Sequence, residues 1–355
     1  MGIFDERFSV EQTVFRDENS LGYDFLPKEL PFRENQQHHL AGCLAPLLHG
    51  RSGRHVLITG PPGIGKTAAA RAVLRELEDK AEAVATFYIN CWQRNSTFKV
   101  LVEICEQFGY RLTHNKNSNE LIDIIEHNLN KKGVVLVFDE IDKAEDLDFL
   151  YILLERILKK SIILITNYDD WLAELDERIK SRLTAEVVDF KPYKREEVHA
   201  ILEARLPYGF QDNVWDDDAF ALIAKVTAEY GDIRMGLYLL REAGNIAEEK
   251  FAAKITLAHA QPAVEKLEKF TVKKHTSLAE EEQTILKLTQ ENPGSKIGDV
   301  YRIYTESGGQ VSYKTFQRKI NHLAENRFIA TEKVMGGKEG TTTIVRPYNK
   351  KLTEY

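Results

Sequence analysis

Gly60-Pro61-Pro62-Gly63-Ile64-Gly65-Lys66-Thr67 decides how the rest of the chain is read, because it fits the GxxxxGK[ST] pattern of a phosphate-binding loop. To its left, His55-Val56-Leu57-Ile58-Thr59 is an apolar run with the character of a buried strand. To its right, Ala68-Ala69-Ala70-Arg71-Ala72-Val73-Leu74 opens a helix. Strand, loop and helix in that order are the context the motif requires. Its glycines let backbone N–H groups wrap phosphates, and the helix N-terminus adds positive potential. Lys66 is suited to the terminal phosphates and the Thr67 hydroxyl to Mg²⁺. Residues Gly60 to Ala68 are therefore the candidate nucleotide-binding segment.

A second landmark is Val134-Val135-Leu136-Val137-Phe138-Asp139-Glu140, an apolar strand ending in two carboxylates. Beside a phosphate loop, Asp139 is placed to hold Mg²⁺ through water and Glu140 to activate a water at the γ-phosphate. A third strand, Ser161-Ile162-Ile163-Leu164-Ile165, leads into Thr166-Asn167. Parallel α/β sheets bind ligands at the carboxyl ends of their strands, so Asn167 is a candidate for orienting the attacking water. Arg178, Lys180 and Arg182 crowd three cations into five residues, any of which offers an arginine-finger-like charge to a neighbour's nucleotide.

The order of elements completes the α/β core. Residues 1–30 read as an irregular arm whose Tyr23-Asp24-Phe25-Leu26-Pro27 suits an apolar cover for a nucleotide base. Helix patterns follow at 34–48, 96–108 and 120–129, with a strand at 83–90. Beyond Pro192 the pattern turns wholly helical, at about 194–206, 216–230, 233–249 and 252–270. Asp232 is a candidate N-cap of the third of these. Arg234, a cation in a helix first turn, needs an anionic partner, and a bound phosphate is the obvious one. From 278 onward, three helices (278–291, 297–306, 312–326) and a hairpin around Gly336-Gly337-Lys338-Glu339-Gly340 describe a winged helix. Lys314, Gln317 and Arg318 lie near one face of its third helix, with Tyr313 and Asn321, while Lys333, Lys338 and Arg346 put cations on the wing.

Composition sets the outer bounds. The 355 residues, 43% hydrophobic, suffice for two or three domains. No apolar run approaches a membrane span, so a cytoplasmic protein is expected. Three widely spaced cysteines without a CxxC suggest neither a disulfide framework nor a zinc site. Net charge is −7, but residues 271–355 hold 14 Lys+Arg against 10 Asp+Glu, a local excess of +4 that leaves −11 for the remainder. That asymmetry hints at nucleic acid in the last quarter.

GPPGIGKT (60–67), VFDEID (137–142), ITN (165–167), RIKSRL (178–183) and GDIRMGLYLLREAGNIAE (231–248), with the terminal winged helix, resemble the archaeal origin-recognition and cell-division-control initiator family of AAA+ ATPases. The resemblance implies an AAA+ P-loop NTPase core with its N-terminal arm over 1–190, a helical lid over 191–272 and a winged-helix DNA-binding domain over 273–355. It implies slow, switch-like ATP hydrolysis with ATP, ADP and Mg²⁺ as ligands. It makes Asn167 the first sensor, Arg234 the lid sensor at the γ-phosphate, and Arg182 the finger, with Arg178 as fallback. Residues 92–109 correspond to a helical insertion that touches the minor groove in relatives. Implied partners are double-stranded origin DNA, a hexameric MCM-type helicase and further initiators or copies of the chain itself, in a nucleoid-associated archaeal setting. Two other functions fit the same motifs: an ATPase for mobile-element targeting or another helicase, and a nucleotide-dependent transcription regulator or scaffold.

Overall fold

The computed structural model describes residues 13–276, 280–325, 328–336 and 340–347. They divide into two compact units, one ending at Val264 and the other beginning at Glu265.

In the first unit β1 (Val56–Thr59), β2 (Val84–Asn90), β3 (Gly133–Asp139), β4 (Lys160–Ile165) and β5 (Glu186–Asp189) form a parallel sheet in the order β2-β3-β4-β1-β5. β1 and β3 are buried at every position, which explains why they read as unbroken apolar runs rather than alternating ones. Six helices cover the sheet: α1 (Glu34–Leu48), α2 (Lys66–Lys80), α3 (Thr97–Gln107), α4 (Ser118–Leu129), α5 (Asp148–Arg156) and α6 (Glu177–Leu183). Strand side chains alternate between faces. Val56 and Ile58 join Val135 and Val137 under Leu40, Leu44 and Val73 of α1 and α2. Leu57, Leu136 and Phe138 point the other way, to Val100, Leu121, Phe149 and Leu183 of α3 to α6.

The helical segment follows: α7 (Arg195–Glu203), α8 (Leu206–Gly209), α9 (Asp217–Tyr230) and α10 (Ile233–Glu249) belong to the same unit, whereas α11 (Leu257–Thr276) begins in it and continues past Val264. Gly231 ends α9 in the left-handed region at φ 63°, and Asp232 caps α10 by accepting the Arg234 N–H. α11 starts later than its sequence pattern, because Ile255 first bridges Trp215. The arm is fixed to these helices. Phe15 bridges and stacks on Phe210 at 5.1 Å. Arg16 donates its N–H to Gly209 O at 2.9 Å and pairs with Asp212 at 2.7 Å. The buried Arg205 donates to Ser20 O at 3.0 Å. Residues 1–12 of the expected arm lie outside the described residues.

The second unit contains α12 (Glu280–Glu291), β6 (Ser295–Lys296), α13 (Ile297–Glu306), α14 (Tyr313–Glu325), β7 (Ile329–Gly336) and β8 (Gly340–Pro347). Its antiparallel sheet runs β6-β8-β7. Phe316, Ile320 and Leu323 of α14 are fully buried among Ile285, Val300, Tyr304 and Val345. Three helices backed by a hairpin make this unit a winged helix. Lys333 lies on β7 opposite Thr343, whereas Lys338 lies outside the described residues.

Candidate functional site

The phosphate loop joins β1 to α2 at the carboxyl edge of the sheet, with left-handed backbone at Gly60, Gly63 and Gly65. Gly63 is required for a further reason. A Cβ there would lie 1.9 Å from Asp232 Oδ1, because the N-cap of α10 rests directly on the loop. The Ile233 N–H donates to Gly63 O at 3.0 Å and completes the contact.

Lys66 is 6% exposed, and its Nζ donates to Gly60 O at 2.6 Å, Pro61 O at 2.7 Å and Asn167 Oδ1 at 2.8 Å. Burial pulls its pKa down to about 8, with the Asp139 carboxylate opposing the shift. Asp139, at the end of β3, is the hub of the acidic side. Its Oδ2 accepts from Thr67 Oγ1 at 2.7 Å and from the Tyr88 hydroxyl, and its Oδ1 accepts the Glu140 N–H at 2.9 Å. Burial, and then the neighbouring Asp139, raise the Tyr88 hydroxyl pKa, so Tyr88 stays a neutral donor to the carboxylate.

Glu140 occupies the left-handed region at φ 53°, a conformation that costs a non-glycine residue about 1–2 kcal/mol. Its carboxyl pKa is raised, first by burial and then by Asp139 and Asp142. Asp142 in turn accepts from Thr166 Oγ1 at 3.0 Å. Lys66, Thr67, Asp139, Glu140, Asn167 and Arg234 all line one cleft, whose apolar end is formed by Phe25, Leu26, Leu30, Ile201 and Leu237.

One expectation is modified, and the residue expected to act on a neighbour's nucleotide lies away from this chain's own cleft. Arg234 already has its anionic partner: its Nε and Nη2 reach Asp232 at 3.1 and 2.9 Å, as does its N–H at 2.9 Å. A bound phosphate is thus not needed to balance it, although Arg234 still faces the cleft. Arg182 does not line the cleft. It is held by Glu155 at 2.7 Å and lies over the Tyr151 ring at 4.8 Å, while Arg178 pairs with Asp176 at 3.1 Å.

Sequence reading did not find Arg33. It is 5% exposed, donates from Nε and Nη2 to Ile64 O at 3.1 and 3.0 Å and from Nη2 to Lys191 O at 2.8 Å, and stacks at 3.8 Å on Tyr193. It thereby holds the loop from beneath. The entry Leu30-Pro31-Phe32-Arg33-Glu34 that contains it resembles that of the initiator family, but it carries no spacing to the loop and gave Arg33 no role.

Of the candidate nucleic-acid residues, Lys314, Gln317 and Arg318 are exposed on α14, opposite its buried face. In the 92–109 segment, Trp92 and Phe98 are exposed by 66% and 45%. Lys143 lies 5.7 Å from the Trp92 ring. Among the described residues no helix is long and apolar enough to cross a membrane.

Residues 49–169 match the family model of the AAA domain, and residues 199–265 that of the Cdc6 AAA+ ATPase-type lid domain. The chain is 31% identical over 344 residues to ORC1-type DNA replication protein 1 of Archaeoglobus fulgidus, covering 91% of this chain and 84% of that one. It is 32% identical over 356 residues to the Sulfurisphaera tokodaii protein of the same name, covering 94% and 89%. Among solved structures it resembles Aeropyrum pernix ORC1 in complex with DNA, with TM-score 0.69, 29% identity and coverage of 97% and 96%. The Aeropyrum pernix ORC2 protein in ADPNP-ADP complexes shares the fold, with TM-score 0.73, 20% identity and coverage of 94% and 95%. With its phosphate loop, lid and winged helix in one chain, the protein belongs to the ORC1-type family of AAA+ DNA replication proteins.

Proposed function

We propose that this chain is a replication initiator that binds double-stranded origin DNA under the control of ATP, hydrolyses the nucleotide slowly and helps recruit a hexameric MCM-type helicase. The observation that carries the proposal is the meeting of Lys66, Asp139, Glu140, Asn167 and Arg234 around one cleft in a chain of this family. ORC1 of Aeropyrum pernix, its 29% identical structural relative, is described in complex with DNA.

In this reading Lys66 exchanges its bonds to the loop carbonyls and Asn167 for the terminal phosphates, whose negative charge opposes the lowering of its pKa by burial. Asn167, released from Lys66, orients the attacking water. Glu140, raised by burial and its acidic neighbours, accepts that water's proton. Arg234 reaches the γ-phosphate from the lid, so the state of the nucleotide is felt at α10 and changes DNA affinity. The donor set fits Mg²⁺: Thr67 Oγ1 and Asp139 Oδ2 are hard oxygens 2.7 Å apart at the mouth of the loop. Thr67 and Asp139 would hold the ion, which neutralises phosphate charge when bound. Phe25, Leu26, Leu30, Ile201 and Leu237 receive the base. Arg182 acts on a neighbouring chain's nucleotide, leaving Glu155 when two chains meet on DNA. Lys314, Gln317, Arg318, Lys333 and Lys338 contact DNA from the winged helix, with the 92–109 segment as a second contact. The setting is the cytoplasm, on the nucleoid.

Replacement of Glu140 by Gln tests the reading. The variant should retain nucleotide and DNA binding and accumulate bound ATP, because only the proton acceptor is lost. Normal turnover by that variant would remove Glu140 from its role.

A further inference from the structure

We propose that His39, Cys43 and Glu186 form a binding site for a zinc-type divalent transition-metal ion, outside the nucleotide cleft. His39 and Cys43 stand four residues apart on one face of α1, and Glu186 begins β5, the strand at the edge of the sheet. The three donor atoms lie within 4.8 Å of one another. His39 Nε2 is 2.8 Å and Cys43 Sγ 3.5 Å from the same oxygen, Glu186 Oε2. Tetrahedral zinc with bonds of about 2.0–2.3 Å places its ligands roughly 3.3–3.7 Å apart, so rotamer-scale adjustments admit an ion.

The donor chemistry narrows the ion. One imidazole, one thiol and one carboxylate suit zinc or cobalt, whereas Mg²⁺ and Ca²⁺ favour oxygens alone. The remaining Glu186 oxygen, Oε1, is taken by Arg54 Nη1 at 2.5 Å. Arg54 also donates its N–H to Cys43 O at 3.0 Å. This second layer of bonds aims Oε2 at the other two ligands. Exposure of His39 leaves a fourth position open to water. Binding releases the Cys43 thiol proton to solvent as the sulfur–metal bond forms. The ion cross-links α1 to β5 and steadies the helix that follows Arg33, the residue that holds Ile64.

The test is titration of the chelator-treated full chain with Co²⁺, followed by the thiolate-to-cobalt charge-transfer absorbance. One equivalent should develop the band, and Zn²⁺ should displace it. The band should vanish in Cys43→Ser and persist in Cys91→Ser, which separates this site from the thiol beside Asp139. His39→Ala should weaken Co²⁺ at least about tenfold while changing metal-free unfolding little, since it removes only a half-exposed contact with Glu186. Zn²⁺ at a hundredfold excess over its Kd should raise the wild-type Tm by roughly 5 °C. Absence of the band, its survival in Cys43→Ser, or undiminished affinity in His39→Ala would each overturn the site and leave a hydrogen-bonded Glu186 alone.

Discussion

Gly63→Ala addresses the contact between phosphate loop and lid. At φ 74° an alanine costs about 1–2 kcal/mol, and its Cβ would fall 1.9 Å from Oδ1 and 2.0 Å from Cγ of Asp232. Asp232 is 5% exposed, caps α10 and pairs with Arg234, so moving it forfeits a cap of about 0.5–2 kcal/mol and weakens a charged hydrogen bond. The single variant should therefore lose roughly 3–5 kcal/mol and most of its nucleotide affinity. Asp232→Ala alone should cost about 1–3 kcal/mol. In the double variant the obstructing carboxylate is gone, and Gly63→Ala should cost only the backbone part. The cycle should show a compensating coupling of about 2–3 kcal/mol. Urea unfolding followed by tryptophan fluorescence suits the measurement, because the three tryptophans, Trp92, Trp171 and Trp215, all lie before Val264 in the unit that carries the loop. Additivity within about 0.5 kcal/mol would refute a direct lid–loop contact.

Four other outcomes follow from the site and its frame. His55 accepts the Ile162 N–H at 3.0 Å, and burial lowers its pKa to about 4 from 6.5. The unfolded chain binds the proton more tightly between those values, so stability falls as pH drops from 6.5 to 4, by up to about 3 kcal/mol; acid unfolding of His55→Asn should be shallower. Arg33→Met leaves the Ile64 and Lys191 carbonyls without their donor, and should cost about 2–4 kcal/mol in urea unfolding and weaken binding of a fluorescent nucleotide. Glu155→Ala breaks only a half-exposed pair and should shift stability by under about 1 kcal/mol. Arg182→Ala should lower ATP turnover only at protein concentrations where chains associate on DNA, as a turnover-against-concentration series would show.

The nucleotide site was legible because its constraints are local. A phosphate loop needs its glycines, Lys66 and Thr67 at fixed spacing, and an apolar run ending in Asp139-Glu140 marks a buried strand reaching the same edge. Helix α10 was legible at both ends, since Asp232 caps it and its apolar stripe runs to Glu249. The Arg234 partner was missed because the N-cap aspartate two residues earlier was read as a cap alone, though one carboxylate serves both purposes here. Contacts between distant positions left no sequence signal. Arg33 meets Ile64 and Lys191, Tyr88 meets Asp139, and His39 and Cys43 meet Glu186, each pairing decided by how strands and helices stack. The arm likewise reads as irregular because its hydrogen bonds go to Gly209 and Glu248, far along the chain.

The central claim is that this is a nucleotide-controlled replication initiator, and crosslinking of the protein to its host genome at base resolution, in wild type and Lys66→Ala, tests it most directly. The account predicts a few sharp peaks at replication start sites that weaken or disappear in the variant. Diffuse signal, peaks confined to promoters or mobile elements, or peaks indifferent to Lys66 would contradict it.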